Sequence, residues 1–290
     1  MPSSFSFAEA IARLESITTA ESVPAIHPGC QSFVRAHEGP TARCFLLIHG
    51  YTNCPKQFHT FANLLYERGH TVLVPRMPRH GLADRMTKSL AGLTATELIT
   101  WLERCLDLAE ALGERVDVLG ISAGANLAAH AAQHKREVYQ STVIAPVLGT
   151  PSIPGWLTPG MTRLGLMLPN VFRWWDPAVR DGDRGVNHAY PRFATHSLAH
   201  ITRLGRAVMT EARNWSPRAS EIIVVLNEAD TSVANQPIEQ LAARWSATGG
   251  NVNLHRIAKH EQMIHDIIDP DQKQQQIQAV YPRLIDLIGA

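Results

Sequence analysis

The stretch of sequence that decides the fold reads Val116-Asp117-Val118-Leu119 followed by Gly120-Ile121-Ser122-Ala123-Gly124. The first four residues predict a buried strand, the Gly-x-Ser-x-Gly pentapeptide predicts a tight turn, and the Ala-rich residues from Gly124 predict a helix. Such a turn holds its central residue in a strained backbone conformation, and the neighbouring residues must be small because Cβ atoms there would collide. We therefore expect the Ser122 hydroxyl to project above the end of a sheet, in the position of a nucleophile.

The rest of the chain repeats this alternation of short strands and helices. Its β-branched and aliphatic runs are separated by helical stretches, which is typical of successive βαβ units. Several runs are apolar throughout, as expected for parallel strands that helices cover on both faces. The predicted strands are 44–48, 71–74, 116–119, 142–145, 222–226 and 252–257, with 31–36 as an antiparallel edge strand. The sequence thus predicts an α/β fold with a mostly parallel central sheet flanked by helices.

Two helices carry clear signals. Thr94 and Glu97 form a predicted capping box, and Gly113 ends the helix that this box opens. The last helix is predicted over residues 272–288, where apolar residues recur at helical spacing, and Pro282 in its interior is expected to kink it. Both are interpreted as amphipathic helices that pack on the sheet.

The alternation stops between residues 145 and 222, where prolines, tryptophans and methionines are scattered without strand patterns. A stretch this long without secondary structure of its own is rare in compact domains. We therefore predict an inserted, mostly helical cap over about residues 149–214. The chain of 290 residues is short enough for a single main domain, with a core formed by residues 29–148 and 215–290.

Composition and charge argue against several classes of protein. The formal net charge is +1, and no run of Lys or Arg provides the positive patch that nucleic-acid binding needs. The N-terminus lacks the basic and apolar regions of a signal peptide. Apolar runs are far shorter than the roughly eighteen residues that span a bilayer. We expect no nucleic-acid partner, no secretion signal and no transmembrane segment.

The four cysteines are Cys30, Cys44, Cys54 and Cys105, and no two of them form a Cys-x-x-Cys pair. So few cysteines in a chain of this size favour neither a disulfide framework nor a zinc site. We interpret all four as small buried hydrophobic residues, and we expect a cytoplasmic protein because a reducing compartment fits this usage.

Four motifs together resemble one known family. They are Leu47-Ile48-His49-Gly50-Tyr51-Thr52, Pro78-Arg79-His80-Gly81, the pentapeptide around Ser122, and Asn227-Glu228-Ala229-Asp230-Thr231-Ser232-Val233. On these motifs the chain resembles bacterial α/β-hydrolases of the carboxylesterase and monoacylglycerol-lipase type over nearly its whole length. It departs from the family pattern at Arg79 and Ala125, where glycines are usual, and neither departure touches a reacting group.

The resemblance implies an α/β-hydrolase fold with a helical cap and a catalytic triad in the chain order Ser, acid, His. A serine hydroxyl needs a general base, and the base needs an acid that fixes its tautomer. Asp230 follows the predicted strand 222–226 at the distance expected for the acid, and Val233 matches the family pattern Asp-x-x-Val. Glu228 is the fallback for this role.

The base is expected on the loop after the predicted strand 252–257, which contains both His260 and His265. We choose His265, because apolar residues and an acid follow it as in the family, whereas His260 comes sooner after the strand than usual. The two histidines also suggest a His-Glu-x-x-His zinc site, but they lie five residues apart and not four. We therefore expect no metal.

A carbonyl group attacked by serine develops negative charge that preorganised N–H groups must stabilise. The resemblance implies the backbone N–H of Tyr51 as one such oxyanion donor. The backbone N–H of Ala123 is the second, and it follows from the geometry of the elbow. The His49 side chain is interpreted as a hydrogen-bonded structural histidine.

These residues predict hydrolysis of a carboxylic ester through an acyl-enzyme, without a cofactor. The expected partner is a small-molecule ester with an apolar acyl group, which Trp174 and Trp175 of the cap could contact; packing of the cap onto the core explains both tryptophans equally well. A thioesterase and a carbon-carbon bond hydrolase share this fold and triad, and a non-catalytic binding protein is the alternative from another class. A homodimer is left open.

Overall fold

The computed structural model describes residues 5–21, 25–176 and 186–290 of the chain. Residues 177–185 of the predicted cap and the first four residues of the N-terminus lie outside the described residues. The strands in chain order are β1 Phe33–Arg35, β2 Cys44–Ile48, β3 Thr71–Val74, β4 Val116–Ile121, β5 Val138–Ile144, β6 Phe172–Trp174, β7 Arg192–Ala194, β8 Glu221–Asn227 and β9 Val252–Ile257. The helices are α1 Phe7–Ala20, α2 His59–Glu67, α3 Ala95–Leu112, α4 Ala123–His134, α5 Thr158–Met167, α6 Thr195–Glu211, α7 Asn235–Ala247 and α8 Ile277–Ile288.

Seven of the described strands form one sheet, in the order β1-β3-β2-β4-β5-β8-β9. Neighbouring strands are parallel, except that β1 runs antiparallel to β3 at the edge. This arrangement confirms the predicted sheet, including its antiparallel edge strand. Strands β2 and β4 are buried along their whole length, as expected for strands covered on both faces. Because the central strands are parallel, the carboxyl ends of β2, β4, β8 and β9 meet at one end of the sheet.

Strands β2, β3 and β9 have the predicted bounds, whereas β5 begins at Val138, before the predicted start at residue 142. The predicted strand was too short at its start because the first residues of β5 include polar side chains, which a search for apolar runs leaves out. The buried Ser141 hydroxyl donates to the Ala128 carbonyl oxygen at 2.8 Å. The Gln140 amide donates to the Glu221 carboxylate at 3.0 Å. Polar side chains with such partners are compatible with a buried strand.

The predicted capping box of α3 is only half formed. Thr94 Oγ1 accepts a hydrogen bond from Glu97 N at 3.2 Å, while the Glu97 carboxylate pairs with Arg79 at 2.9 Å. The local pattern assigned the Glu97 side chain to the cap, but this side chain forms an ion pair with a residue from another part of the chain instead. Helix α8 begins at Ile277, later than predicted, and contains Pro282. Among the described residues, no helix is long and apolar enough to cross a membrane.

The predicted cap segment contains helix α5, the antiparallel ribbon of β6 and β7, and helix α6. The ribbon is an addition to the mostly helical insertion that was predicted. Helix α6 packs on α4, where Asn126 Nδ2 donates to the carbonyl oxygens of Val147 at 3.0 Å and Ile201 at 2.8 Å. Helix α5, by contrast, buries only Thr158. Among the described residues of the segment, the exposed large apolar side chains lie on α5, on the residues that flank it and beside the ribbon.

Two of the four cysteines form a disulfide bond, so the prediction that all four are simply small buried hydrophobic residues is wrong. Cys30 and Cys54 are joined, with their Cα atoms 5.2 Å apart, while Cys44 and Cys105 are free and buried. The spacing of the cysteines along the chain did not predict this disulfide, because Cys30 and Cys54 lie on two separate loops that only the completed fold brings together. Disulfides are typical of oxidising compartments, and the expectation of a cytoplasmic protein rested on their absence.

Removing this disulfide is expected to lower the free energy of unfolding by about 3 kcal/mol, because the bond restricts the unfolded chain. The cysteines are separated by 24 residues of sequence. The measurement is urea unfolding of the wild type and of the Cys30→Ser/Cys54→Ser variant, each with and without dithiothreitol. The reductant should move the wild-type curve onto that of the variant and leave the variant unchanged. A wild-type curve that does not respond to reductant would contradict the pairing.

Candidate active site

Ser122 lies in the turn between β4 and α4, where the sequence predicts an elbow. Its backbone has φ 57° and ψ −115°, a conformation that is unfavourable for a residue with a Cβ atom. A Cβ atom at Gly120 would overlap the carbonyl oxygen of Gly124, and one at Gly124 would overlap that of Ile48. The Ser122 N–H donates to the Ile144 carbonyl oxygen at 2.9 Å. The turn thus holds a partly exposed serine at the carboxyl end of β4.

The loop after β2 passes close to this turn. A Cβ atom at Gly50 would lie 3.7 Å from the Ser122 Cβ atom, so the backbone from Gly50 to Tyr51 runs beside the serine. Ala123, the other predicted oxyanion donor, is the first residue of α4. The N-terminus of a helix has N–H groups without intrahelical partners and carries partial positive charge. The structure therefore brings both predicted donor residues next to Ser122.

The His49 side chain is fully buried and has a partner at each ring nitrogen. Nδ1 lies 2.9 Å from the Gly50 carbonyl oxygen, and Nε2 lies 3.0 Å from Met77 N. Because a backbone N–H only donates, Nε2 accepts and Nδ1 carries the proton. Burial, followed by the neighbouring His80, lowers the pKa of His49 well below its ordinary value. His49 is therefore a neutral residue that holds the loop backbone, in agreement with its structural interpretation.

Residues of the predicted cap segment hold the same loop from the other side. The Tyr51 hydroxyl lies 2.8 Å from Ser197 Oγ and accepts a hydrogen bond from Ala194 N at 3.2 Å. Burial raises the pKa of Tyr51 to about 12, so the phenol stays neutral near pH 7. Trp175 Nε1 donates to Thr52 Oγ1 at 2.9 Å. The ribbon and α6 are thereby connected to the loop that carries the Tyr51 N–H.

Asp230 and His265 form a close pair. His265 Nδ1 lies 2.6 Å from Asp230 Oδ2, and the Asp230 side chain is fully buried. Its other oxygen accepts hydrogen bonds from Ser232 N at 2.7 Å and Val233 N at 3.2 Å. The turn after β8 thus fixes the carboxylate, which orients the imidazole with Nδ1 protonated and Nε2 as the acceptor nitrogen. The structure brings the predicted acid and base together.

Asn227, the last residue of β8, anchors the loop that carries His265. Its Nδ2 donates to the carbonyl oxygens of Met263 at 2.8 Å and Ile264 at 3.1 Å. From the sequence, Asn227 was only the first residue of a motif and had no role. A polar residue that ends an apolar strand at the active-site end of the sheet is the signal that could have identified it.

The fallback residues lie apart from this pair. His260 is exposed on the short 3-10 turn Lys259–Glu261. Glu228 is exposed as well, and its carboxylate accepts a hydrogen bond from Lys259 N at 3.1 Å. The zinc interpretation required both histidines on one helical face, whereas His265 has its Nδ1 on Asp230. Across residues 5–21, 25–176 and 186–290, no group of three or more His, Cys, Asp or Glu side chains is placed to hold a metal ion.

An open cleft with a volume of about 310 Å³ borders the turn that carries Asp230. One wall belongs to the start of the predicted cap segment and includes Thr150, Ile153 and Pro154. The lining also includes Val233, which follows Asp230 in the turn after β8. Apolar and polar groups both line this cleft, and Asp230 is the one predicted site residue among them.

Comparison with known proteins agrees with this architecture. A family model described as the alpha/beta hydrolase family matches residues 45–266. The thermostable monoacylglycerol lipase of Bacillus sp. (strain H-257) is 27% identical over 180 residues, which cover 58% of this chain and 63% of that protein. The chain thus spans less than two thirds of the length of this relative.

Two solved structures have a similar fold. The monoacylglycerol lipase of Paleococcus ferrophilus superposes with a TM-score of 0.64 at 17% identity, covering 88% of this chain and 98% of that one. A soluble variant of the monoglyceride lipase from Saccharomyces cerevisiae gives a TM-score of 0.65 at 14% identity, covering 89% and 90%. At these identities the likeness establishes the fold alone. Because the family model covers well over half of its residues, this chain belongs to the alpha/beta hydrolase family.

Proposed function

We propose that this chain is a serine hydrolase that cleaves carboxylic esters through an acyl-enzyme. Ser122 is the nucleophile, His265 is the general base, and Asp230 is the acid that orients the base. The observation that carries the proposal is the 2.6 Å contact between His265 Nδ1 and Asp230 Oδ2, at the same end of the sheet as the Ser122 turn. A base held by an acid near a strained serine is the arrangement that activates a serine hydroxyl.

In the first step, His265 Nε2 takes the proton from Ser122 Oγ as this oxygen bonds to the ester carbonyl carbon. The carbonyl oxygen becomes an oxyanion and accepts hydrogen bonds from the backbone N–H groups of Tyr51 and Ala123. His265 then gives the proton to the departing alcohol oxygen as the carbon-oxygen bond breaks. Water, deprotonated by His265, then attacks the carbonyl carbon of the acyl-enzyme. The bond between this carbon and Ser122 Oγ breaks as His265 returns the proton to Oγ, and the carboxylic acid is released. No step uses a cofactor.

The proposed substrate is a small ester with an apolar acyl group. Residues 156–175 of the predicted cap segment include no Asp or Glu and expose many large apolar side chains to solvent. These side chains are Trp156, Leu157, Met161, Leu164, Met167, Leu168, Val171 and Trp175. Such a surface favours contact with an apolar group over contact with a cationic one. The relatives named above are monoacylglycerol and monoglyceride lipases, which supports an ester of this kind.

The proposal is tested with p-nitrophenyl esters of rising acyl-chain length, together with a fluorophosphonate that labels reactive serines. Turnover of the esters and labelling of one serine per chain are the expected results. Turnover of thioesters without turnover of oxygen esters would replace the esterase by a thioesterase. Absence of both turnover and labelling would instead favour a non-catalytic binding protein of this fold.

Trp175 is expected to set acyl-chain preference, because it is partly exposed and lies against the loop that carries the Tyr51 N–H. Trp175→Ala should lower the ratio of long-chain to short-chain kcat/KM by roughly tenfold, since each methylene that loses apolar contact costs about 0.8 kcal/mol. Trp175→Phe should keep most of this ratio, because it removes the hydrogen bond to Thr52 but retains an aromatic ring. Trp174→Ala probes the preceding residue in the ribbon in the same way.

Trp215→Ala is the control for these variants, because 68% of Trp215 is exposed to solvent and it lies outside residues 156–175. It should leave the chain-length profile unchanged. If Trp174→Ala and Trp175→Ala lower thermal stability and keep the wild-type profile, the two tryptophans only pack the segment. The acyl group would then lie elsewhere, with residues 51–58 as the next candidate.

A further inference from the structure

A buried side-chain amide bridges the two loops that supply the proposed oxyanion donor and the proposed base. The Gly50 N–H donates to Gln57 Oε1 at 2.8 Å, and Gln57 Nε2 donates to Asp266 Oδ2 at 2.8 Å. Gln57 is 2% exposed and lies in the 3-10 turn after β2, while Asp266 directly follows His265 in the chain. One side chain therefore connects the backbone beside Ser122 with the residue next to the base.

The orientation of this bridge is fixed by the Asp266 carboxylate. Besides the amide described above, Oδ2 accepts hydrogen bonds from Asn53 Nδ2 at 3.3 Å and Gln272 Nε2 at 3.1 Å. Oδ1 accepts from Ile268 N at 3.3 Å and Asp269 N at 3.1 Å. A carboxylate only accepts, so the bridging amide must present its NH₂ group to Asp266 and its oxygen to the Gly50 N–H. A flipped amide would lose both hydrogen bonds.

The peptide that bears the Tyr51 N–H is held at several points by this arrangement. The carbonyl oxygen of this peptide belongs to Gly50, and it accepts hydrogen bonds from His49 Nδ1 at 2.9 Å and from Asn53 N at 3.2 Å. The preceding N–H of Gly50 is held by Gln57. In a trans peptide the N–H points opposite to the carbonyl group, so these hydrogen bonds together fix the direction of the Tyr51 N–H. Such preorganisation is what an oxyanion donor needs.

We propose that Gln57 and Asp266 are positioning residues, which hold the Tyr51 N–H and the His265 loop in one fixed arrangement. The inference rests on the proposed esterase function and deepens it. Neither side chain takes part in the bond-breaking steps assigned to Ser122, His265 and Asp230. Their contribution is to the geometry of the transition state, and it falls on kcat more than on KM.

The bridge has a direction, because Gln57 accepts from Gly50 and donates to Asp266, and variants that reverse or remove this direction test it. Gln57→Glu sets a second carboxylate against Asp266, where Asp269 already lies nearby, and like charges at this distance repel. Asp266→Asn places an amide where several donors converge. The double variant Gln57→Glu/Asp266→Asn restores the bridge itself with reversed polarity, because the new carboxylate accepts from the Gly50 N–H and from the new amide. The Asn53 and Gln272 donors still lose their acceptor.

Each single variant is expected to lower kcat for p-nitrophenyl butyrate on the order of 10-fold to 100-fold, with KM changed less than about threefold. The double variant should recover part of the kcat that Gln57→Glu or Asp266→Asn loses, because it repairs the bridge but not the contacts of Asn53 and Gln272. Gln272→Glu is the matched control, because it adds a carboxylate beside the same Asp266 oxygen but does not contact Gly50. Its effect on kcat should be clearly smaller than that of Gln57→Glu. Equal losses for the two, or no recovery in the double variant, would overturn the inference.

A second measurement decides the inference independently of turnover. Hydrogen exchange of the Gly50 amide, followed without substrate, should accelerate in both single variants and return toward the wild-type rate in the double variant. Unchanged exchange in the single variants would overturn the bridge even if their kcat fell. A wild type that hydrolyses no ester would refute the proposed function, and the exchange rates would still show whether Gln57 and Asp266 hold the loop.

Discussion

Ser122→Ala is expected to lower kcat/KM for p-nitrophenyl esters by about four to six orders of magnitude while the protein keeps its fold. The loss is large because Ser122 Oγ forms the covalent bond of the proposed acyl-enzyme. Stability should be preserved, because serine and alanine bear the same Cβ atom and meet the same backbone cost at φ 57°. Steady-state kinetics and thermal unfolding of the two proteins provide the measurement.

Ser232→Ala serves as the matched control for this variant. Ser232 is exposed and donates its backbone N–H to Asp230 at 2.7 Å, and alanine keeps that N–H. The control should retain turnover within about twofold, as expected for a surface substitution. Mass spectrometry of the fluorophosphonate-labelled wild type should find the label on Ser122. A label on any other serine would remove Ser122 from the role of nucleophile.

The turn that holds Ser122 could be predicted from the sequence because its determinants are local. A buried strand, two glycines that permit close backbone approach and an Ala-rich helix follow one another within a short stretch. The same holds for β2 and β3, whose uninterrupted apolar runs match the observed strands. Local patterns of this kind specify the sheet and the position of Ser122.

Contacts between distant parts of the chain could not be predicted in this way. The Cys30–Cys54 disulfide and the hydrogen bond from Gln57 to Asp266 each join loops whose residues form no periodic pattern. The start of β5 was missed for a related reason, because the partners that allow Ser141 to be buried come from another element. Side-chain pairing of this kind depends on the completed fold and leaves no trace in local spacing.

The choice between His260 and His265 as the base could be made from the sequence only in part. The family pattern favoured His265, but spacing alone gave no physical reason for the preference. The structure provides one: Asn227 holds the carbonyl oxygens of Met263 and Ile264, and this anchor brings the following residue to Asp230. A buried polar side chain thus anchors the part of the loop whose histidine contacts Asp230.

His265→Ala is expected to lower kcat/KM for p-nitrophenyl esters by about four orders of magnitude, whereas His260→Ala should retain activity within about twofold. Without His265 no group takes the Ser122 proton in the proposed mechanism, and the buried Asp230 carboxylate loses its partner at 2.6 Å. His260 is exposed on its turn and serves as the control from the same loop. The measurement is the esterase panel applied to both variants.

Asn227→Ala extends this test to the anchor of the loop. It removes the hydrogen bonds to the Met263 and Ile264 carbonyl oxygens, and the one that Asn227 Oδ1 accepts from Ala229 N, but it replaces none of the proposed catalytic residues. We expect kcat to fall on the order of 10-fold to 100-fold, because the base loses its fixed position. Fluorophosphonate labelling should slow in parallel, since the nucleophile depends on the same base. If His260→Ala were inactive and both His265→Ala and Asn227→Ala active, the base would be His260, and the pairing of His265 with Asp230 would have no part in catalysis.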